Sequence, residues 1–397
     1  MIEKITMEKL KVVALILLGG LTEANASTFY TAEELVTPYD WTYITPSAIN
    51  DNGEIVGTGS PHRDAFDARI ASALYWPTPN SIQIMSRYKD KYSNYSAAYD
   101  INNTGMIVGE IQSTETGEYV AVRWDHGNFI EAFGMESANG ASTVSARATS
   151  INDQDVIVGD VTLSNGLSRA FMYNRFGGFN FGEFLTDPEN HIFSTSINNN
   201  NIAVGELGNS GFSYNPSAKN RLNVYANGGY YSIADINDQN AMVTQQQNLC
   251  VLKHNQQIPL SDNNTSCTPK ALNNNQVVVG TTNQFDTKSY LYHAFVYDPY
   301  ANNSCETGMR DLNAITVTNS DEVVLTEAVD INESGQIIAT GVVNGETRAF
   351  LLHPSTDNQA IPLSLDADQD GILDNCDPEV TPNNVAAWLV PVLYLLL

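Results

Sequence analysis

Ala48-Ile-Asn-Asp-Asn-Gly-Glu-Ile-Val-Gly57 is the stretch on which the fold turns, because six further versions of it follow along the chain. They are Asp100-Ile-Asn-Asn-Thr-Gly-Met-Ile-Val-Gly109, Ser150-Ile-Asn-Asp-Gln-Asp-Val-Ile-Val-Gly159, Ser196-Ile-Asn-Asn-Asn-Asn-Ile-Ala-Val-Gly205, Asp235-Ile-Asn-Asp-Gln-Asn-Ala-Met-Val-Thr244, Ala271-Leu-Asn-Asn-Asn-Gln-Val-Val-Val-Gly280 and Asp330-Ile-Asn-Glu-Ser-Gly-Gln-Ile-Ile-Ala339. The shared asparagines stand at 50, 102, 152, 198, 237, 273 and 332, so the mean step is (332 − 50)/6 = 47 residues. Such a period marks a repeat architecture.

Each copy reads as a β-hairpin, with a strand ending in Ile-Asn, a short turn, and an apolar β-branched run such as Ile55-Val56. Three residues after the shared Asn stand Gly53, Gly105, Asp155, Asn201, Asn240, Gln276 and Gly335, and all but Gln276 are types that tolerate the left-handed backbone of a tight turn. The Asn itself suits an Asx-turn closed on its own backbone, a structural role in preference to a ligand-binding one. The final position is Gly except at Thr244 and Ala339, as in a strand crowded against its neighbour. Third strands follow at Ala73-Leu-Tyr-Trp76, Ala121-Val-Arg-Trp124, Arg169-Ala-Phe-Met-Tyr173, His293-Ala-Phe-Val-Tyr297 and Arg348-Ala-Phe-Leu-Leu352.

These elements predict an all-β chain, a β-propeller of about seven degenerate repeats of about 47 residues each. Four-stranded blades are expected from about 28 to 363, with Phe29 to Val36 serving as the outer strand that closes the last one. The same elements resemble the bacterial HAF repeat, named for the tripeptide that stands here as His293-Ala294-Phe295, with Arg169 and Arg348 in place of the His. The resemblance covers roughly residues 40 to 355, and copies four and five are degenerate. It implies an envelope or extracellular location and no particular reaction.

The chain has 397 residues, with 19 Lys and Arg against 45 Asp and Glu, a formal net charge of −26. A surface so short of cations argues against nucleic acid and anionic lipid as partners. Lys4, Lys9 and Lys11 precede the apolar run from Val12 to Leu18 and then Ala24-Asn25-Ala26, the parts of a secretory signal over residues 1–26. Export to the periplasm, cell surface or extracellular space is therefore expected. Four cysteines in an exported chain favour disulfides, Cys250 with Cys267 first and Cys305 with Cys376 second, although the sequence permits three connectivities.

The propeller is expected over residues 27–363 and a calcium loop over 364–380. Asp366, Asp368, Asp370, Asp374 and Asp377 supply carboxylates at loop positions 1, 3, 5, 9 and 12, Gly371 permits the bend, and Ile372 offers its carbonyl. The segment resembles a thrombospondin type 3 repeat, including Cys376 before the last Asp, and calcium is the cofactor it implies. Residues 381–397 read as a linker followed by an apolar segment of 13 residues, too short to span a bilayer of about 30 Å alone. Its place at the C-terminus resembles the start of a sorting signal without the basic ending, and a transient membrane contact through it is expected.

No Gly-x-Ser-x-Gly, His-Glu-x-x-His or phosphate loop is present in the sequence. The histidines at 62, 126, 191, 254, 293 and 353 do not converge by spacing. The leading expectation is a non-catalytic binding or scaffold protein for a protein or glycan ligand. The alternative is a propeller enzyme acting on extracellular polysaccharide, whose carboxylates would come together only in the fold.

Overall fold

The computed structural model describes residues 28–38, 41, 43–61, 71–86, 92–133, 142–174, 177–180, 191–226, 228–260, 266–283, 292–299, 308–318, 323–355 and 365. The expected signal segment, Cys305, Cys376, the expected calcium loop from Asp366 to Asp377 and the C-terminal apolar segment lie outside the described residues.

Seven antiparallel sheets follow one another along the chain and close into a ring, a seven-bladed β-propeller as the repeat predicts. The inner strands are Tyr43–Ile49, Tyr92–Ile101, Thr143–Ile151, Ile192–Ile197, Tyr231–Ile236, Cys267–Leu272 and Val324–Ile331, and each ends just before the shared Asn. Blades 1 to 6 continue outward by hairpins to a fourth strand. In blade 7 the fourth strand is Phe29–Glu34, from the other end of the chain, antiparallel to Glu346–Ser355 from Phe29↔Ser355 to Glu34↔Phe350. Closing the ring in this way ties both ends of the array into one sheet. Blade 7 also differs from the four-stranded expectation, because Thr316–Val317 adds a short parallel fifth strand against Tyr30 and Thr31. The one helix among the described residues is the 3-10 turn Leu312–Ala314.

Each blade is covered on both faces by its neighbours, which is why second and third strands run apolar without alternation. Seven core clusters fill the seven interfaces between blades. Trp76 and Trp124 are fully buried there. Their indole N–H groups donate to the carbonyls of Val36 and Ser86, both at 2.8 Å, so neither is left unsatisfied.

The turn chemistry holds in every copy. Gly53, Gly105, Asp155, Asn201, Asn240, Gln276 and Gly335 all have positive φ, between 58° and 79°, so Gln276 adopts the left-handed turn despite its type. The motif's final glycine lies against the inner strand: a Cβ on Gly57, Gly109, Gly159, Gly205 or Gly280 would stand 1.9–2.3 Å from a backbone carbonyl oxygen of the inner strand. The Phe of the Ala-Phe elements pairs directly with that glycine or its equivalent, as in Gly159↔Phe171, Gly280↔Phe295 and Ala339↔Phe350.

Candidate functional site

At one mouth of the channel the seven shared asparagines form a closed ring. Each Nδ2 donates to the backbone carbonyl of the next Asn, from Asn50 through 102, 152, 198, 237 and 273 to 332 and back to 50, at 2.9–3.2 Å. Each Oδ1 accepts from the N–H four residues on, at 2.9–3.1 Å. Five also accept from the N–H two residues on, the Asx-turn read from the sequence. Only Asn combines an acceptor for its own turn with a donor of the right reach for the next blade; Asp has no donor. Five also donate the second Nδ2 hydrogen. Asn102, Asn152 and Asn198 donate to Asp155, Asn201 and Asn240 of the next blade. Where that turn holds a glycine instead, Asn50 and Asn332 donate to their own Glu54 and Gln336.

The next residues, Asp51, Asn103, Asp153, Asn199, Asp238, Asn274 and Glu333, form a second closed ring. The backbone N–H of each donates to the side chain of the next at 2.7–3.0 Å. Carboxylate and amide alternate, so the amide of Asn103 bridges Asp51 and Asp153, and that of Asn199 bridges Asp153 and Asp238. Seven is odd, and the alternation fails once, where Glu333 meets Asp51. Burial, and then Asp51 among other charges, pushes the Glu333 carboxyl up.

Deeper in the channel stand Asp100, Asp235 and Asp330, two residues before the ring asparagines. Each accepts the backbone N–H of the following blade: Ile151, Leu272 and Ile49, all at 2.9 Å. Desolvation raises all three carboxyls, that of Asp100 to about 6. The cavity at this mouth has about 190 Å³ and is lined by groups that already bond one another.

The other mouth is built differently. Every inner strand carries a register shift three residues before the ring Asn, at Ser47, Tyr99, Thr149, Thr195, Ala234, Lys270 and Val329. These β-bulges re-aim one side chain per blade. All but Ala234 line a cavity of about 630 Å³. Where the repeats keep Asn at the ring, these seven positions hold six residue types.

Polar pairs stand around this mouth. Arg147 Nε holds both carboxylate oxygens of Asp160 at 2.9 and 3.1 Å, and Lys270 Nζ meets Glu327 at 2.6 Å. The Arg147 guanidinium lies 5.9 Å over the Phe193 ring. Ser194 and Thr340 are 3% and 9% exposed and line the same cavity. Their hydroxyls have no hydrogen-bond partner. A neighbouring cavity of about 370 Å³ shares Arg147 and Phe193 and adds Glu110 and Asp160. There Tyr95 donates to Glu110 at 2.9 Å. Burial and then Glu110 push the phenols of Tyr95 and Tyr99 well above their ordinary value. Burial also raises the Asp160 carboxyl, Arg147 opposing it.

The sequence therefore placed the shared Asn correctly in the turn and missed its bond to the next blade. It also missed the wide mouth, whose signal was the changing residue three places before each Asn. Asp366, Asp368, Asp370, Ile372, Asp374 and Asp377 lie outside the described residues. The predicted disulfide is present, joining the third strand of blade 5 to the inner strand of blade 6 through Cys250 and Cys267.

Fold and mouths define a closed seven-bladed propeller with one mouth whose ring side chains bond one another and one lined by a wider cavity. A family model described as a protein of unknown function, DUF3466, matches residues 48–186, in blades 1 to 3. No curated protein matches the chain. Among solved structures, a prolyl endopeptidase is similar at 9% identity and a TM-score of 0.50, over 80% of this chain and 50% of that one. The extracellular domain of a hybrid two-component system from B. thetaiotaomicron is 13% identical with a TM-score of 0.43, over 85% and 41%. The β-propeller domain of the Trilobed protease from Pyrococcus furiosus is 10% identical with a TM-score of 0.39, over 72% and 98%. This chain thus spans half or less of the length of the first two, and the first similarity bears on the fold alone.

Proposed function

We propose that the chain is an exported, non-catalytic propeller of the HAF-repeat kind that binds its ligand at the wide mouth of the channel. The observation that carries this reading is the contrast between the mouths. At the Asn mouth the side chains are spent on holding the ring together. At the bulge mouth the side chains differ from blade to blade, and two buried hydroxyls stand unsatisfied at a cost of about 1–3 kcal/mol each.

The test is binding of glycans and peptides to the mature chain and to Tyr99→Ala. Loss of the bound ligand in this variant, with the thermal midpoint kept, supports the site. A ligand that binds both proteins equally refutes it.

One observation favours hydrolysis of polysaccharide as a second reading: Glu110 and Asp160 line one cavity. Against it, Arg147 grips Asp160 at both oxygens, which suits a fixed charge better than a proton donor. Reducing sugar released from extracellular polysaccharide, and none released by Glu110→Gln, would establish the enzyme.

The tail is proposed to bind one calcium ion through the aspartates of residues 366–377, on their spacing alone. Calorimetry should show calcium heat in the mature protein and little in Asp370→Asn with Asp374→Asn. Equal heats, or none at millimolar metal, would reduce the segment to an acidic linker.

A further inference from the structure

From the chemistry of the wide mouth we infer that its ligand is a neutral saccharide, held toward blades 2 to 4; this rests on the binding reading above. Charge selects first. Among the described residues the mouth contains two cations, Arg147 and Lys270, and each is already matched, to Asp160 and to Glu327. With Glu206 also on the wall and a formal charge of −26 on the chain, nothing among the described residues of the mouth favours an anionic ligand. A strongly cationic one would compete with Arg147 and Lys270 for their carboxylates.

Shape and polarity select next. Tyr99 and Phe193 bring aromatic surface to the mouth, the kind of surface that the C–H face of a sugar ring covers. Beside them the Nε–H of Arg147 is shared between both oxygens of Asp160, and the remaining donors and lone pairs of these planar groups suit adjacent hydroxyls. The volume of about 630 Å³ is of the size that holds a small oligosaccharide segment.

The two buried hydroxyls serve as stability controls. In the free protein Ser194→Ala and Thr340→Val remove unpaired buried groups, so each variant should unfold at the same temperature or higher. Titration of the mature chain with neutral hexasaccharides of glucose, xylose and mannose should give heat with at least one. The affinity should fall at least tenfold in Tyr99→Ala. Uronate hexasaccharides and a basic peptide are titrated beside them. Heat from either of these that Tyr99→Ala abolishes, with none from neutral sugars, would overturn the saccharide assignment and keep the mouth as the binding site. A ligand of any class whose heat is indifferent to Tyr99→Ala would overturn both. Silence of every neutral saccharide overturns the inference.

Discussion

The shared Asn is one side chain doing two jobs about fifty residues apart, closing its own turn and donating to the next blade. The first job was legible, because turn chemistry is local. The second was not, because nothing near Asn152 in the sequence names Asn198 as its acceptor; the repeat period was the only clue. The residue that follows it carries a pattern that could have been read: Asp, Asn, Asp, Asn, Asp, Asn, Glu around the seven blades. The amides separate carboxylates that would otherwise be neighbours. Asn199→Asp would place three carboxylates in a row with 153 and 238 and remove the bridging donor. It is expected to lower stability by about 1–2 kcal/mol, with the loss shrinking at high salt. Urea unfolding at low and high ionic strength measures both parts, and a variant as stable as the parent would show that the alternation is idle.

At the scale of the element, hairpins and third strands were legible from period and β-branched runs. The bulge was not, since one extra residue in a strand is a matter of register between two chains rather than of composition. Its consequence for packing explains the motif's glycine. Gly109→Ala would drive a methyl to 1.9 Å from the Ala97 carbonyl oxygen and should cost about 2–3 kcal/mol, by displacing the inner strand. Unchanged stability would mean that the strand yields freely. The disulfide acts on the same scale, closing a loop of 17 residues between blades 5 and 6. Replacing both cysteines, which are fully buried, with alanine is expected to cost about 3 kcal/mol or more in denaturant unfolding. A smaller loss than about 1 kcal/mol would assign the bridge no role in holding those blades.

The whole molecule carries its acidity inside as well as outside. The Asp100 carboxyl has a native value of about 6, against about 3.9 in an unfolded chain, so the native state binds this proton more tightly. Its stabilising contribution is full below about pH 4 and is lost as the pH rises through about 6. Asp235 and Asp330 are shifted in the same direction. The thermal midpoint should therefore rise as the pH falls from 7.5 to 5.5. Asp100→Ser, which copies Ser150 and Ser196 at the same place in blades 3 and 4, should flatten that rise. A midpoint that falls over this range would contradict it.

The division of labour between the mouths can be tested by thermal unfolding of two variants without any ligand. Asn152→Ala breaks the ring at one link and leaves buried partners in blades 3 and 4 unpaired, so its midpoint should drop by roughly 5 °C, matching a loss on the order of 3 kcal/mol. Ser194→Ala with Thr340→Val empties the wide mouth of its unpaired hydroxyls and should leave the midpoint unchanged or raise it. The reverse order, a stable Asn152→Ala and a collapsed double variant, would contradict the assignment of structure to one mouth and binding to the other.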